Sequence, residues 1–300
     1  MDYENEENGF SIGLRTALFG AFEELQERFV RAGNAIGTLT GFPCLDQLTN
    51  GLQSGELILL AAKPGMGKTA FALDVAANVA VSGGSVFIHS LQMTPEQIAL
   101  RLISSQTKVA WGRMRSGKLE DEDWGEVTAS IRKLQNVSLE IGVSSRDVLA
   151  GIRRQAFAMK QANRVDLIII DDLEGLVGDT KKSKPRRMAT LETLRSLKQL
   201  ALECEAPVLL LFSLRGGLEA NRERRPILAD IRWFHTIEDQ LDTVMFLHRE
   251  DCHENYLSKS GMVEVIVPVQ GNGNPALVAT LMFDENWLHF RNSDGHASSQ

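Results

Sequence analysis

Ala62-Lys63-Pro64-Gly65-Met66-Gly67-Lys68-Thr69 follows the apolar run Leu57-Ile58-Leu59-Leu60-Ala61 and opens the helix-forming stretch Ala70-Phe71-Ala72-Leu73-Asp74-Val75-Ala76. The pattern is G-x-x-x-x-G-K-[ST] with alanine in the first place, and its setting of strand, loop and helix separates a working phosphate loop from a chance match. Small residues let successive backbone N–H groups turn towards a phosphate, and the helix N-terminus adds the positive end of its dipole. Lys68 has the reach for β/γ-phosphates and the Thr69 hydroxyl suits Mg²⁺. Ala62 to Thr69 are therefore the expected nucleotide-binding residues. The alternative is that Gly65 and Gly67 serve only a tight turn.

Working outward, short β-rich runs alternate with helical stretches. Strands are expected at 57–61, 85–89, 167–170, 208–212, 243–247, 263–267 and 277–283, and helices at 67–81, 94–106, 121–134, 147–161 and 187–203. Such alternation implies an α/β fold, a mostly parallel twisted sheet with helices on both faces; the hairpin-like end at 263–290 implies an antiparallel edge. The run Val165-Asp166-Leu167-Ile168-Ile169-Ile170-Asp171-Asp172 reads as a buried strand ending in carboxylates. Asp171, at its carboxyl end, is the expected partner of Thr69 around Mg²⁺. Asp172 is the weaker metal candidate and fits a helix cap or loop solvator.

Composition sets limits. A formal charge of −7 gives no global signature of nucleic-acid binding, so any such site is a local patch. Cys44, Cys204 and Cys252 are odd in number and lack C-x-x-C spacing, which points to a reducing compartment. The start, Met1-Asp2-Tyr3-Glu4-Asn5-Glu6-Glu7-Asn8, is acidic where a secretory signal is basic and then apolar. No apolar run approaches the ~20 residues that span a bilayer. The expected location is cytoplasmic, with no membrane partner. Residues 1–35 read as an acidic tail and a helix (Leu14, Leu18, Phe22, Leu25, Phe29), 36–292 as the nucleotide-binding domain and 293–300 as a polar tail. The apolar spacing of that helix leaves open whether it packs on a neighbouring subunit or on its own domain.

Further segments follow in an order that resembles one family: Thr40-Gly41-Phe42-Pro43-Cys44-Leu45-Asp46, Gly51-Leu52-Gln53-Ser54-Gly55-Glu56-Leu57, His89-Ser90-Leu91-Gln92-Met93, Gly117-Lys118-Leu119, Asp171-Asp172-Leu173-Glu174, Arg225-Pro226, Asp230-Ile231-Arg232 and His253-Glu254-Asn255. Over residues 36–292 the chain resembles the C-terminal, RecA-like motor domain of DnaB-type hexameric replicative helicases. The resemblance implies ATP and Mg²⁺ held between subunits of a homo-hexamer and single-stranded DNA in a central channel. It also casts the first helix as a linker helix, without a counterpart of the family's N-terminal collar domain.

The departures cluster on chemistry. Where the family carries a water-activating glutamate, this chain has Gln92; an amide orients water without taking its proton, and losing general-base help costs about 10²–10⁴ in rate. The family's lysine and arginine finger correspond to Val269 and Gly271 in Val269-Gln270-Gly271-Asn272-Gly273-Asn274-Pro275, and its Gln after the strand-end aspartate to Glu174. A missing finger is worth about 10³–10⁵ in kcat. Arg215 is either a displaced cation or a surface arginine. For DNA, Lys181, Lys182, Lys184, Arg186 and Arg187 place five cations in seven residues, and Arg232, Trp233 and Phe234 fall in the family's second DNA loop. Both aromatics fit base stacking or packing in a core or interface. His248, His253 and His289 lack metal-ligand spacing and read as surface or satisfied histidines, and Trp111, Trp124 and Trp287 as packing residues.

The leading expectation is a DnaB-like ATP-binding protein of DNA replication or mobile-element maintenance, a helicase-type ATPase with weakened hydrolysis. The rival is a non-motor ATP-binding scaffold or modulator that co-assembles with an authentic helicase. A third reading, a KaiC- or RadA-like ATPase, fits residues 225–255 less well.

Overall fold

Leu57–Ala62, β1, is buried along its whole length and lies within one nine-stranded sheet of order β3-β2-β4-β5-β1-β6-β7-β8-β9. The computed structural model describes residues 13–30, 37–143, 147–162, 164–179, 185–214, 224–232, 234–249, 261–270 and 277–293. The other strands are β2 (Ser85–Ser90), β3 (Ser138–Gly142), β4 (Leu167–Asp171), β5 (Val208–Ser213), β6 (Thr243–His248), β7 (Met262–Gln270), β8 (Leu277–Asp284) and β9 (His289–Asn292). Pairing is parallel from β3 through β6 and antiparallel from β6 through β9. The expected parallel sheet with an antiparallel edge is thus the architecture observed.

Alternate residues of β1 serve two cores. Ile58, Leu60 and Ala62 join one cluster with Phe71, Val75 and Phe290; Leu57, Leu59 and Ala61 join another with Ile152, Leu197 and Phe246. A strand buried on both faces needs apolar residues at every position, which is why 57–62 shows no polar alternation. Helix α3 (Lys68–Val81) covers the first face. Helices α7 (Val148–Ala162), α8 (Leu173–Asp179) and α9 (Arg186–Cys204) cover the second. The remaining helices are α1 (Leu14–Val30), α2 (Pro43–Thr49), α4 (Pro95–Ser105), α5 (Trp111–Ser116), α6 (Asp123–Leu134) and the short α10 (Phe234–Ile237).

Two strands go beyond the sequence reading. β3 is an edge strand of alternating exposed and half-buried residues, and β9 has only four residues; neither carries the unbroken apolar run that marks a central strand. α8 is similarly short, seven residues directly behind Asp172. The described residues of the chain fall into two compact units, one holding α1 and the other beginning at Gly37. Within the first unit, Leu14, Leu18, Phe19 and Phe22 are exposed along α1.

Candidate nucleotide site

Parallel strands present their carboxyl ends on one edge, and β1, β2 and β4 bring Ala62, Ser90 and Asp171 there, with Ser90 and Asp171 in register. From β1 the chain turns through Lys63 to Gly67 into α3. Gly65 and Gly67 have φ of +84° and +94°, a left-handed conformation that side chains disfavour. At Gly67 space is limiting as well: a Cβ there would lie 3.1 Å from Phe290 Cζ. Phe290 makes an edge contact with Phe71 of α3 at 5.5 Å and packs on Phe283 at 4.5 Å, so an aromatic cluster backs the loop. Met66 is buried in the same core.

Asp74, one turn further into α3, ties this backing together. It is 1% exposed, accepts the Phe290 backbone N–H at 2.6 Å and meets His289 Nδ1 at 3.1 Å. Burial holds its carboxyl above the ordinary carboxylate range, opposed by the His289 and Phe290 contacts. His289 is therefore a satisfied histidine.

In front of the loop, Thr69 Oγ1 donates to Asp171 Oδ2 at 2.9 Å across 102 residues of sequence. Asp171 is buried, which raises its proton affinity; the Thr69 hydroxyl, Lys68 and Arg101 act in the opposite direction and Asp172 reinforces the rise. A hydroxyl and a carboxylate meeting at the mouth of a phosphate loop form a hard-oxygen set suited to Mg²⁺, which keeps several waters and takes its remaining oxygens from phosphate. Among the described residues no cluster of three His, Cys, Asp or Glu side chains forms a closed cage, and such an ion needs none. Lys63, also expected to touch nucleotide, turns its Nζ to the Arg224 carbonyl at 3.0 Å, so its part in the loop is carried by the backbone.

Gln92 sits beyond β2. Leu91 N donates to the Asp171 carbonyl at 2.7 Å, and Ser90 Oγ accepts from Gln92 N and Met93 N. The Gln92 amide Nε2 donates to Asp172 Oδ2 at 2.7 Å, a partner that sequence inspection did not suggest. Asp172 Oδ1 accepts Gly175 N at 3.0 Å, so Asp172 caps α8, the cap alternative of the sequence reading.

The expected DNA residues divide. Arg186 and Arg187 are exposed in the first turn of α9 and Arg232 is exposed. Arg186 and Arg232 line a cavity of about 190 Å³ with Glu174, Ser213, Asp230 and an apolar floor of Leu59 and Ile231. Phe234 is corrected from the stacking set: it packs in the second core with Ile231 and Ile237, so its ring has no open face for a base. Trp124, expected to pack, is 56% exposed on α6. Lys181, Lys182, Lys184, Arg215, Trp233, His253 and residues 271–275 lie outside the described residues.

Fold and site together define a phosphate-loop NTPase domain. Residues 37–292 match the family model for the DnaB-like helicase C-terminal domain. The chain is 33% identical over 290 residues to the replicative DNA helicase DnaB of Geobacillus stearothermophilus, covering 96% of this chain and 64% of that protein. It is 33% identical over 280 residues to the replicative DNA helicase DnaC of Bacillus subtilis, covering 93% and 62%. Among solved structures, one of an ATPase domain superposes with a TM-score of 0.84 at 28% identity, covering 95% of this chain and 100% of that one. A DnaB-like replicative helicase solved for its interactions with primase gives 0.81 at 29% identity, covering 96% and 68%. This chain belongs to the DnaB-like helicase C-terminal domain family, and it spans a little under two thirds of the two helicases named. No helix among the described residues is long and apolar enough to cross a membrane.

Proposed function

We propose that this chain is the ATP-binding motor domain of a DnaB-like helicase, acting on single-stranded DNA as a ring of six copies, with slow hydrolysis. The Thr69–Asp171 contact at the mouth of the phosphate loop carries this reading, because it supplies hard oxygens where a nucleotide-bound Mg²⁺ needs them. Thr69 and Asp171 would hold such an ion, which when bound would supply positive charge to the transferred phosphoryl group. The loop backbone and the start of α3 are placed to bind phosphate oxygens, and Lys68 adds a positive charge. Gln92 accepts a hydrogen bond from water without removing its proton, so hydrolysis is slow. Exposed Arg186, Arg187 and Arg232, with Lys181, Lys182 and Lys184, supply cations for a DNA backbone.

ATP turnover measured with and without single-stranded DNA tests the proposal. Slow, DNA-stimulated hydrolysis that disappears in Lys68→Ala is the expected result; hydrolysis insensitive to both DNA and Lys68 would overturn it. Gln92, an amide that takes no proton, favours a second reading, a nucleotide-binding subunit that co-assembles with an active helicase. ATP binding with no turnover and no DNA binding would make that reading the better one.

A further inference from the structure

Gln92 and Asp172 are 80 residues apart and meet through Nε2 and Oδ2 at 2.7 Å. Asp172 is 1% exposed, whereas Gln92 is exposed two residues beyond the buried end of β2, where Ser90 pairs with the Asp171 that bonds Thr69. An ionised carboxylate has only acceptors, so the amide end facing Asp172 has to be the NH₂ group. Chemistry thereby decides the orientation of the Gln92 amide, and its carbonyl Oε1 is left as an acceptor on the other side. The second Asp172 oxygen is occupied by Gly175 N, which fixes the carboxylate in turn.

We propose that Asp172 is a positioning residue for hydrolysis: by holding Gln92 Nε2 it presents Gln92 Oε1 to the attacking water. The inference rests on the ATPase reading above. In the step it serves, the water oxygen bonds to the γ-phosphorus and the bond from phosphorus to the β–γ bridging oxygen breaks. ADP leaves with that electron pair, and the water proton passes to an oxygen of the released phosphate. Gln92 aligns the water and takes no proton. The same geometry explains how this chain accommodates glutamine here. A glutamate in its place would set two acceptor-only groups against each other, whereas glutamine supplies the missing donor.

Asp172→Asn separates this role from capping. Asparagine caps helices as well as aspartate, and its Oδ1 stays on Gly175 N. Its NH₂ then faces residue 92, which forces Gln92 to reverse and offer the water a donor. Against the carboxylate that Gln92→Glu introduces, the same NH₂ forms a proper hydrogen bond. Wild type, Gln92→Glu, Asp172→Asn and the double variant should be compared for kcat, affinity for a fluorescent ATP analogue and melting temperature.

Asp172→Asn should lower kcat about tenfold, with affinity and melting temperature nearly unchanged. The double variant should exceed Gln92→Glu by about tenfold, within the coupling expected for residues in contact. If wild-type turnover lies below detection, the second comparison decides. Additive effects, or a lower melting temperature without coupling, would overturn the pairing while leaving the ATPase reading intact. Failure of wild type to bind the ATP analogue would overturn both.

Discussion

Behind the phosphate loop, Phe71, Phe283 and Phe290 pack densely and Asp74 pairs with both a backbone amide and a histidine; at the Gln92 rim, an exposed amide hangs on one carboxylate. On the function proposed above, the first region backs the nucleotide pocket and the second faces the water, where an amide that cannot take a proton stands. That reading makes binding and turnover separable, because they would rest on different residues with different neighbours.

The largest expected effect tests the backing. Phe290→Ala removes a fully buried ring from behind Gly67 and should cost about 3–5 kcal/mol of stability, measured by urea unfolding, and should also weaken ATP binding. An ATP affinity equal to wild type would show that the loop keeps its shape without this support. Next, Lys68→Ala should abolish stabilisation by ATP–Mg²⁺, which at a hundredfold excess over Kd amounts to about 2.7 kcal/mol. An ATP-induced rise in Tm equal to that of wild type would remove the phosphate loop from the binding half of the comparison.

A pH series sharpens the same half. Because the Asp74 carboxyl is raised by burial, its contribution to stability is present below the ordinary carboxylate value and declines as pH rises through the raised one. Asp74→Asn keeps an acceptor for Phe290 N and removes the titration. Stability of wild type relative to the variant should therefore fall with rising pH, by at most about 1.4 kcal/mol per pH unit for one proton. A parallel pair of Tm–pH curves would deny Asp74 that role. The smallest effect concerns DNA. Replacing Arg186 and Arg187 by alanine should flatten the salt dependence of single-stranded DNA binding by up to about 0.7 log units per lost phosphate contact. Fluorescence anisotropy across a salt series measures this, and an unchanged slope would take the start of α9 out of the DNA path.

Local chemistry made the phosphate loop, the Asp171 strand and the main helices readable along the chain. Glycines, a lysine and a threonine at fixed spacing have a local meaning, and apolar runs record burial on both faces of a central strand. Weakly patterned elements escaped: β3 is half-exposed and β9 and α8 are short, so pairing and capping define them more than composition does. Phe234 looked the same whether it stacked on a base or filled a core, and only the packing around α10 resolved it.

By itself, then, the sequence determined the phosphate loop and the buried strand that ends in Asp171, because each is a property of residues adjacent in the chain. The tertiary structure alone decided which carboxylate holds that glutamine and which aromatic and carboxylate brace the loop. Those contacts join residues 80 and more than 200 positions apart, and a hydrogen bond or a packed ring depends on distance in space, which linear order does not carry.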